Sequence, residues 1–244
     1  NKAQESRYIR VHADKLDELI NLVGELVIAS ASAGLLAQRS RDMQLHEATS
    51  TMSRLVEEIR DGALQLRMVQ IGETFNRFHR VVRDVSKDLG KDIGLVISGG
   101  ETELDKSVVE KIGDPLMHLV RNSMDHGIES AALRQQRGKP AKGTVKLNAY
   151  HESGSIVIEV GDDGGGLNRD KLLAKGIERG LVGPNQNLTD QEVYGLIFEA
   201  GFSTAEAVTS ISGRGVGMDV VRQNVEKLRG RIAIRSTRGK GTAM

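Results

Sequence analysis

Apolar residues recur at alternating steps of three and four from the first turn of the chain: Leu16, Leu19, Val23, Leu26, then Ser30, Ala33 and Ala37. This heptad rhythm predicts an amphipathic helix with one continuous seam. Its second half is built from small residues (29–34), which let a partner backbone approach closely. A polar stretch at 38–46 supplies a turn. A second seam follows through Met52, Leu55, Ile59, Gly62, Leu66 and Val69, and the rhythm continues through Phe75, Phe78, Val82, Val85 and Leu89 until Gly90 offers a C-cap. Two helices with one stripe each bury too little surface to be stable alone. Pairing of two such hairpins into a four-helix bundle is therefore favoured over a stalk packed on the rest of its own chain.

Beyond residue 90 the period changes. Residues 92–98 read as a strand, and Thr102 followed by Asp105 resembles a capping box opening a helix over 105–127, with Val108, Ile112, Leu116, Leu119 and Met124 turned inward. Residues 146–150 and 155–160 alternate as a hairpin around the Glu152-Ser153-Gly154 turn. Helices are predicted at 169–179, 190–198 and 218–228, a strand at 231–236 and a turn at 237–241, with a last strand starting at Thr242. A sheet should not end on its turn, so Met244 reads as a boundary of a longer protein. The fold class is α+β: a helical hairpin over 1–70, then a sheet with helices segregated on one face over 71–244, not a Rossmann series.

Composition narrows the function. The 244 residues carry 34 Lys plus Arg against 33 Asp plus Glu, a formal charge of +1, which argues against a nucleic-acid binder or a polybasic membrane reader. The absence of Cys excludes disulfides, thiolate metal sites and a cysteine nucleophile. No uninterrupted apolar run approaches the ~18 residues of a membrane span, so membrane insertion is not expected and the chain reads as cytoplasmic. Glycine divides the sequence: 5 of the 28 fall in residues 1–90 and 23 in 91–244.

Those glycines frame the candidate chemistry. His118, Asn122 and His126 stand at i, i+4 and i+8 and would share one side of a regular helix. An amide oxygen on that line can ligate Mg²⁺, and imidazoles can meet phosphate oxygens or take a proton. Asp162-Asp163-Gly164-Gly165-Gly166 follows a strand, where an acidic group can accept a hydrogen bond from an exocyclic amine and small residues let a flat base lie on the backbone. Gly213-Arg214-Gly215-Val216-Gly217 precedes a helix from Met218, leaving backbone N–H groups free to face an anion at a helix N-terminus. A polar loop, not a strand, leads into it, which disfavours a dinucleotide fold and suits a glycine-rich lid over a triphosphate. Gly239-Lys240-Gly241-Thr242 adds a last glycine pair.

In this order, Asn122, Asp162-x-Gly164-x-Gly166, the Phe198/Phe202 segment, Gly213-x-Gly215-x-Gly217 and Gly239-x-Gly241-Thr242 resemble the N, G1, F, G2 and G3 boxes of the GHKL-type (Bergerat) ATP-binding sandwich shared by gyrase, MutL and histidine kinases. The segments LDELINLVGELVI (16–28), TELDKS (102–107), HLVRNSMDHGIE (118–129), GFSTAE (201–206) and SGRGVGMDVV (212–221) are similar to the CheA family of chemotaxis histidine kinases across essentially the whole chain. The resemblance implies ATP and Mg²⁺ as cofactors, with Asn122 as metal ligand, Asp162 reading the adenine, Gly164 and Gly166 shaping the base pocket and Thr242 supporting the base from the Asp162 side. It implies that Gly213, Arg214, Gly215, Val216, Gly217 and Met218 form the lid region, that Ser203, Thr204, Asp125 and His126 belong to the nucleotide site, and that His118 takes part in catalysis. Position 118 carries His where related ATPases carry Glu, which disfavours hydrolysis, and no box is ruined, which disfavours an inert scaffold.

The resemblance further implies a homodimer through residues 1–70 and phosphoryl transfer to a His on a separate phosphotransfer domain absent from this sequence. Also implied are a CheW-like adaptor and chemoreceptors reached through a missing C-terminal domain, the response regulators CheY and CheB reached through a missing N-terminal part, and a place at membrane-associated receptor arrays. His46, although followed by Glu47, reads as a solvated turn residue. Two departures stand out: Gln70 and His79 occupy positions where the family usually has Pro, so a helix running continuously across the junction near residue 70 is expected.

Overall fold

A computed structural model describes residues 11–202 and 217–244, and the chain divides into two compact units after Val69. The first unit is a hairpin of α1 (Ala13–Arg39) and α2 (Met43–Gln65). The connection is tighter than the predicted turn. Asp42 caps α2 by accepting from the N–H groups of Gln44 and Leu45, and His46 sits in the first turn of α2 with a ring nitrogen on the Ser40 carbonyl.

On α1 the hairpin buries members of the seam the rhythm suggests, and on α2 it buries a different one. Val23, Ser30 and Ala37 of α1 pack inward together with Val56 and Ala63 of α2, and the Ser30 and Ser53 hydroxyls meet at 3.1 Å. On α1, Leu19 and Leu26 remain exposed. On α2 the whole predicted series does: Met52, Leu55, Ile59 and Leu66 are 36%, 46%, 50% and 69% exposed. Each helix thus has an apolar stripe wider than one neighbour covers, the a, d and e pattern of a bundle helix and not the narrow seam of a two-stranded coil. α1 also holds a stretch long and apolar enough, by length and composition, to cross a membrane: an 18-residue window of mean hydropathy 1.8. This corrects the reading that no such stretch exists: Ala, Ser and Gly break up the large apolar residues without adding charge.

No helix continues across residue 70. α2 ends at Gln65, a short strand β1 (Met68–Gln70) follows, and α3 (Gly72–Leu89) starts afresh. The break needs no proline. Ile71 donates to the Thr102 carbonyl and Gly72 to that of Gly100, and a Cβ at Gly72 would stand 2.8 Å from the Gly100 oxygen. α3 buries Phe75, Phe78, Val82 and Val85 on one face and ends at Gly90 in the left-handed conformation.

The second unit is built on a five-stranded mixed sheet in the order β2-β4-β5-β7-β6: β2 (Ile93–Ser98), β4 (Gly143–Glu152), β5 (Ser155–Asp162), β6 (Arg235–Thr237) and β7 (Gly241–Ala243). β2 runs parallel to β4; the other pairings are antiparallel. The predicted strand at 231–236 is reduced to β6, and the sheet does not end on its turn, because β7 pairs with both β5 and β6 and Met244 exchanges two backbone hydrogen bonds with Val160. A short strand β3 (Glu103–Asp105) leads into α4 (Lys106–Asn122), capped by Asp105 and not by Thr102. The core sets Leu116, Leu119 and Val120 of α4, with Phe75 and Phe78 of α3, against Val145, Leu147 and Val160 of the sheet. The remaining helices are α5 (Ala131–Gln136), α6 (Arg169–Glu178), α7 (Asp190–Gly195) and α8 (Met218–Lys227).

Candidate functional site

α4 does not run regularly to Gly127. After Asn122 the chain widens into a π-turn, Ser123–Gly127, closed by an Ile128 N–H to Ser123 carbonyl bond of 2.8 Å. An i→i+5 turn advances through a smaller angle per residue than an α-helix, so the row of polar side chains breaks there; such insertions concentrate at functional sites. His118 and Asn122 remain in register on α4. His126 does not share their face: its side chain is 63% exposed and lies 3.6 Å from the carboxylate of Asp125. The π-turn is held from outside the motif by Lys91, whose ammonium donates to the carbonyls of Met124, Asp125 and Ile128 at 2.7–2.8 Å. Burial lowers the Lys91 pKa against the pull of Asp125 and Glu129.

Asn122 donates through Nδ2 to Met218 Sδ at 2.9 Å, joining the end of α4 to the start of α8. Sulfur accepts but does not donate here, so the contact turns the amide oxygen away, free to ligate. Among the described residues no three carboxylate or imidazole groups converge into a metal cage. A lone amide oxygen fits Mg²⁺, which keeps most of its shell as water and substrate phosphate oxygens. His118, one turn earlier, is partly buried; burial first, then Arg121, lowers its pKa, so the imidazole is neutral near pH 7.

The end of β5 divides labour between two neighbouring carboxylates. Asp163 is neutralised: Arg134, only 1% exposed, reaches both its oxygens, and the Thr144 N–H adds a third bond. Asp162 has no counter-ion among the described residues. It is held by neutral donors, the Gly164 N–H at 2.9 Å, the Ser123 side chain and the Thr242 backbone, while burial raises its pKa above the ordinary 3.8. A carboxylate kept in a low-dielectric setting without a cation is the mark of a group reserved for a ligand.

The glycines around it are set by contact. A Cβ at Gly164 would fall 2.0 Å from the Gly127 oxygen, and one at Gly166 (φ +69°) 2.4 Å from the Thr237 oxygen. Thr242, paired with Asp162 in the sheet, hydrogen-bonds Ser236 through its hydroxyl. The backbones of the π-turn, the loop after β5 and the β6–β7 turn therefore interlock around Asp162. They flank a cavity of about 790 Å³ whose walls include His126, Gly165, Gly166, Lys171 and Arg238.

Phe198 is buried in the main core and Phe202 in a second cluster with Val182, Val193 and Leu196, where the Lys175 ammonium lies 5.2 Å from the Phe202 ring centroid. Gly217 and Met218 open α8. Ser203, Thr204, Gly213, Arg214, Gly215 and Val216 lie outside the described residues. Lys91, Arg134 and Lys139 belong to no motif and escape sequence reading, because the π-turn and the Asp163 groups they hold lie 24–37 residues away.

Comparison with known proteins agrees with this architecture. The model of the histidine kinase-, DNA gyrase B- and HSP90-like ATPases matches residues 111–244, and that of the signal transducing histidine kinase homodimeric domain matches residues 6–66. The chain is 47% identical over 249 residues to the chemotaxis protein CheA of Salmonella typhimurium, covering 100% of this chain and 36% of that protein. It is 47% identical over 242 residues to that of Bacillus subtilis, covering 97% and 36%, and 49% identical over 199 residues to that of Treponema pallidum, covering 82% and 24%. It spans about a third of the length of the curated relatives it matches most fully.

Proposed function

The chain belongs to the family of histidine kinase-, DNA gyrase B- and HSP90-like ATPases, here joined to a histidine kinase homodimeric domain as in CheA, and from that premise we propose that it binds Mg²⁺-ATP and passes the γ-phosphoryl group to a His on a separate domain. Residues 1–70 form the homodimer and 71–244 the catalytic domain. Asp162 accepts a hydrogen bond from the adenine amine, with Gly164 and Gly166 admitting the base and Thr242 steadying it from the Asp162 side. Asn122 holds the metal, which neutralises phosphate charge. His118 faces the γ-phosphate as a neutral imidazole able to take a proton. Asp125, His126, Ser203, Thr204, Met218 and the lid residues Gly213, Arg214, Gly215, Val216 and Gly217 complete the nucleotide site.

The observation that carries this reading is the contrast between the two aspartates: Asp163 is spent on Arg134, while Asp162 is buried without a cation. Phosphoryl transfer relies on positioning and charge neutralisation, so losing the Asn122 ligand costs more than losing one lid glycine. By analogy with its relatives the whole protein acts in chemotaxis with a phosphotransfer domain, a CheW-like adaptor, chemoreceptors and response regulators, in the cytoplasm at receptor arrays. The test is incubation with labelled ATP and a separately supplied His-bearing phosphotransfer domain: label on its His is expected, and release of free phosphate alone would make the protein an ATPase. Titration calorimetry should show nucleotide binding strongly weakened but still measurable in Asp162→Asn, and its Mg²⁺ dependence lost in Asn122→Ala.

A further inference from the structure

The loop that presents Asp162 is gripped from behind. Lys139 is 17% exposed, and its ammonium spends all three donors inside the protein, on Glu129 Oε1 at 3.1 Å, the Asp163 carbonyl at 2.9 Å and the Gly164 carbonyl at 2.7 Å. Arg134 adds a second bond to the Asp163 carbonyl at 3.2 Å. A trans peptide unit points its C=O and its N–H in opposite directions. The unit whose oxygen is the Asp163 carbonyl therefore sends the Gly164 N–H the other way, and that N–H donates to Asp162 Oδ1 at 2.9 Å. The next unit repeats the device: its oxygen is the Gly164 carbonyl on Lys139, and its Gly165 N–H donates to the Gly127 carbonyl at 2.9 Å. One cation thus fixes two consecutive peptide planes, one aimed at the Asp162 carboxylate and one at the end of the π-turn.

The geometry points to Lys139 as a positioning residue for base selection, acting through the peptide planes of Asp163-Gly164 and Gly164-Gly165 to hold Asp162 where it accepts from a 6-amino purine and turns away a 6-oxo purine. Arg134 assists by anchoring the same carbonyl and the Asp163 side chain. A cation on a carbonyl oxygen also polarises the unit it belongs to, strengthening the N–H bond at its far end. Glu129, whose carboxylate takes Lys139, Arg134 and Arg137, supplies the countercharge that keeps both cations in place. Lys139 needs no contact with the base to do this.

This inference rests on Asp162 being the base reader, and the test separates the two. Binding of Mg²⁺-ADP and Mg²⁺-GDP to the full 244-residue chain is measured by titration calorimetry for the wild type, Lys139→Met, Lys139→Gln, Asp162→Asn and the Asp162→Asn/Lys139→Met double variant. Lys139→Met is expected to cut the ADP-over-GDP preference about tenfold, the scale of coupling within one hydrogen-bond network. Lys139→Gln, which keeps an N–H₂ donor, should retain an intermediate preference and stands in if Lys139→Met does not fold. In the Asp162→Asn background the Lys139 change should alter the preference no further. Equal losses of ADP and GDP binding, an unchanged preference, or additive effects in the double variant would each overturn the positioning role. An unchanged preference in Asp162→Asn itself would overturn the nucleotide assignment instead.

Discussion

The two units use apolar side chains in opposite ways. The sheet unit buries its largest ones: Phe75, Leu116, Met124 and Leu147 are at most 2% exposed. The hairpin buries small residues such as Ser30, Ala37 and Ala63 and leaves Leu55, Ile59 and Leu66 on its surface. Since burial stabilises by roughly 25 cal/mol per Å² of apolar area, the sheet unit has satisfied its hydrophobic demand within one chain and the hairpin has not. One unit is a finished domain, the other half of one. Their ion pairs divide the same way: those of the hairpin are largely solvated, as between Arg54 and Glu58, whereas the Glu129–Arg134–Asp163 cluster lies inside the sheet unit.

The sharpest way to break this comparison is to attack a side chain the sheet unit has fully enclosed. Phe75→Ala should destabilise that unit by about 3–5 kcal/mol, the cost of lost transfer energy plus the cavity left behind, read as a fall in its chemical-denaturation midpoint. A loss below 1 kcal/mol would mean that the unit is as unfinished as the hairpin. Next comes the paired change Leu55→Glu and Ile59→Glu on the outward stripe of α2. In the isolated hairpin these positions are solvated and the substitutions nearly neutral; buried in a four-helix bundle they would set charges against a partner's apolar face. Light scattering should show a dimer at micromolar concentration in the wild type and a monomer in the variant.

A third difference is set by pH. Burial alone would push Glu129 up, but its own backbone N–H, Lys139 and Arg137 outweigh that and hold its carboxyl below the ordinary 4.5. The unfolded chain then binds the proton more readily than the folded one, so the stabilisation is complete above about 4.5 and drains away as pH falls through the lower folded value. Asp162, raised by burial, works in the opposite sense and favours the folded state on acidification. The sheet unit of Glu129→Gln should start with a lower melting temperature at neutral pH and lose less of it on acidification than the wild type does, while the hairpin's melting is the same in both.

Much of this was legible in the sequence, and the limits have physical causes. Periodicity revealed that both hairpin helices are amphipathic and picked out Val23, Ser30 and Ala37 on α1, yet on α2 it followed the exposed stripe of Met52, Leu55 and Ile59 and missed the buried Val56 and Ala63. A heptad pattern reports that a stripe must be covered and is silent on what covers it, and a stripe spanning a, d and e has room for two neighbours. The boxes around Asn122 and Asp162 could be read because glycine spacing reflects local backbone demands. The π-turn after Asn122 could not, since the groups that hold it open come from Lys91, more than thirty residues away. The break before Gly72 was missed for the same reason: it is made by a close approach to Gly100, not by a proline.

Gly62 tests the smallest effect and bears most directly on the comparison. It lies on the outward stripe of α2 between Ile59 and Leu66, and a Cβ added there meets nothing within 4 Å in the single chain. Glycine inside a helix costs about 0.5–1 kcal/mol relative to alanine, because the unfolded chain surrenders more backbone freedom. Gly62→Ala should therefore favour the helical state of α2 by about that amount, read as a rise in helix content by circular dichroism at protein concentrations low enough to keep the chain monomeric. In the dimer the same methyl group is judged by the partner. If the gain persists unchanged at high concentration, the facing helix stands at an ordinary packing distance and the glycine only softens α2. A gain that turns into a loss as the dimer forms would place a partner backbone directly on Gly62, and the small residue would then be set by the dimer and not by the helix that carries it.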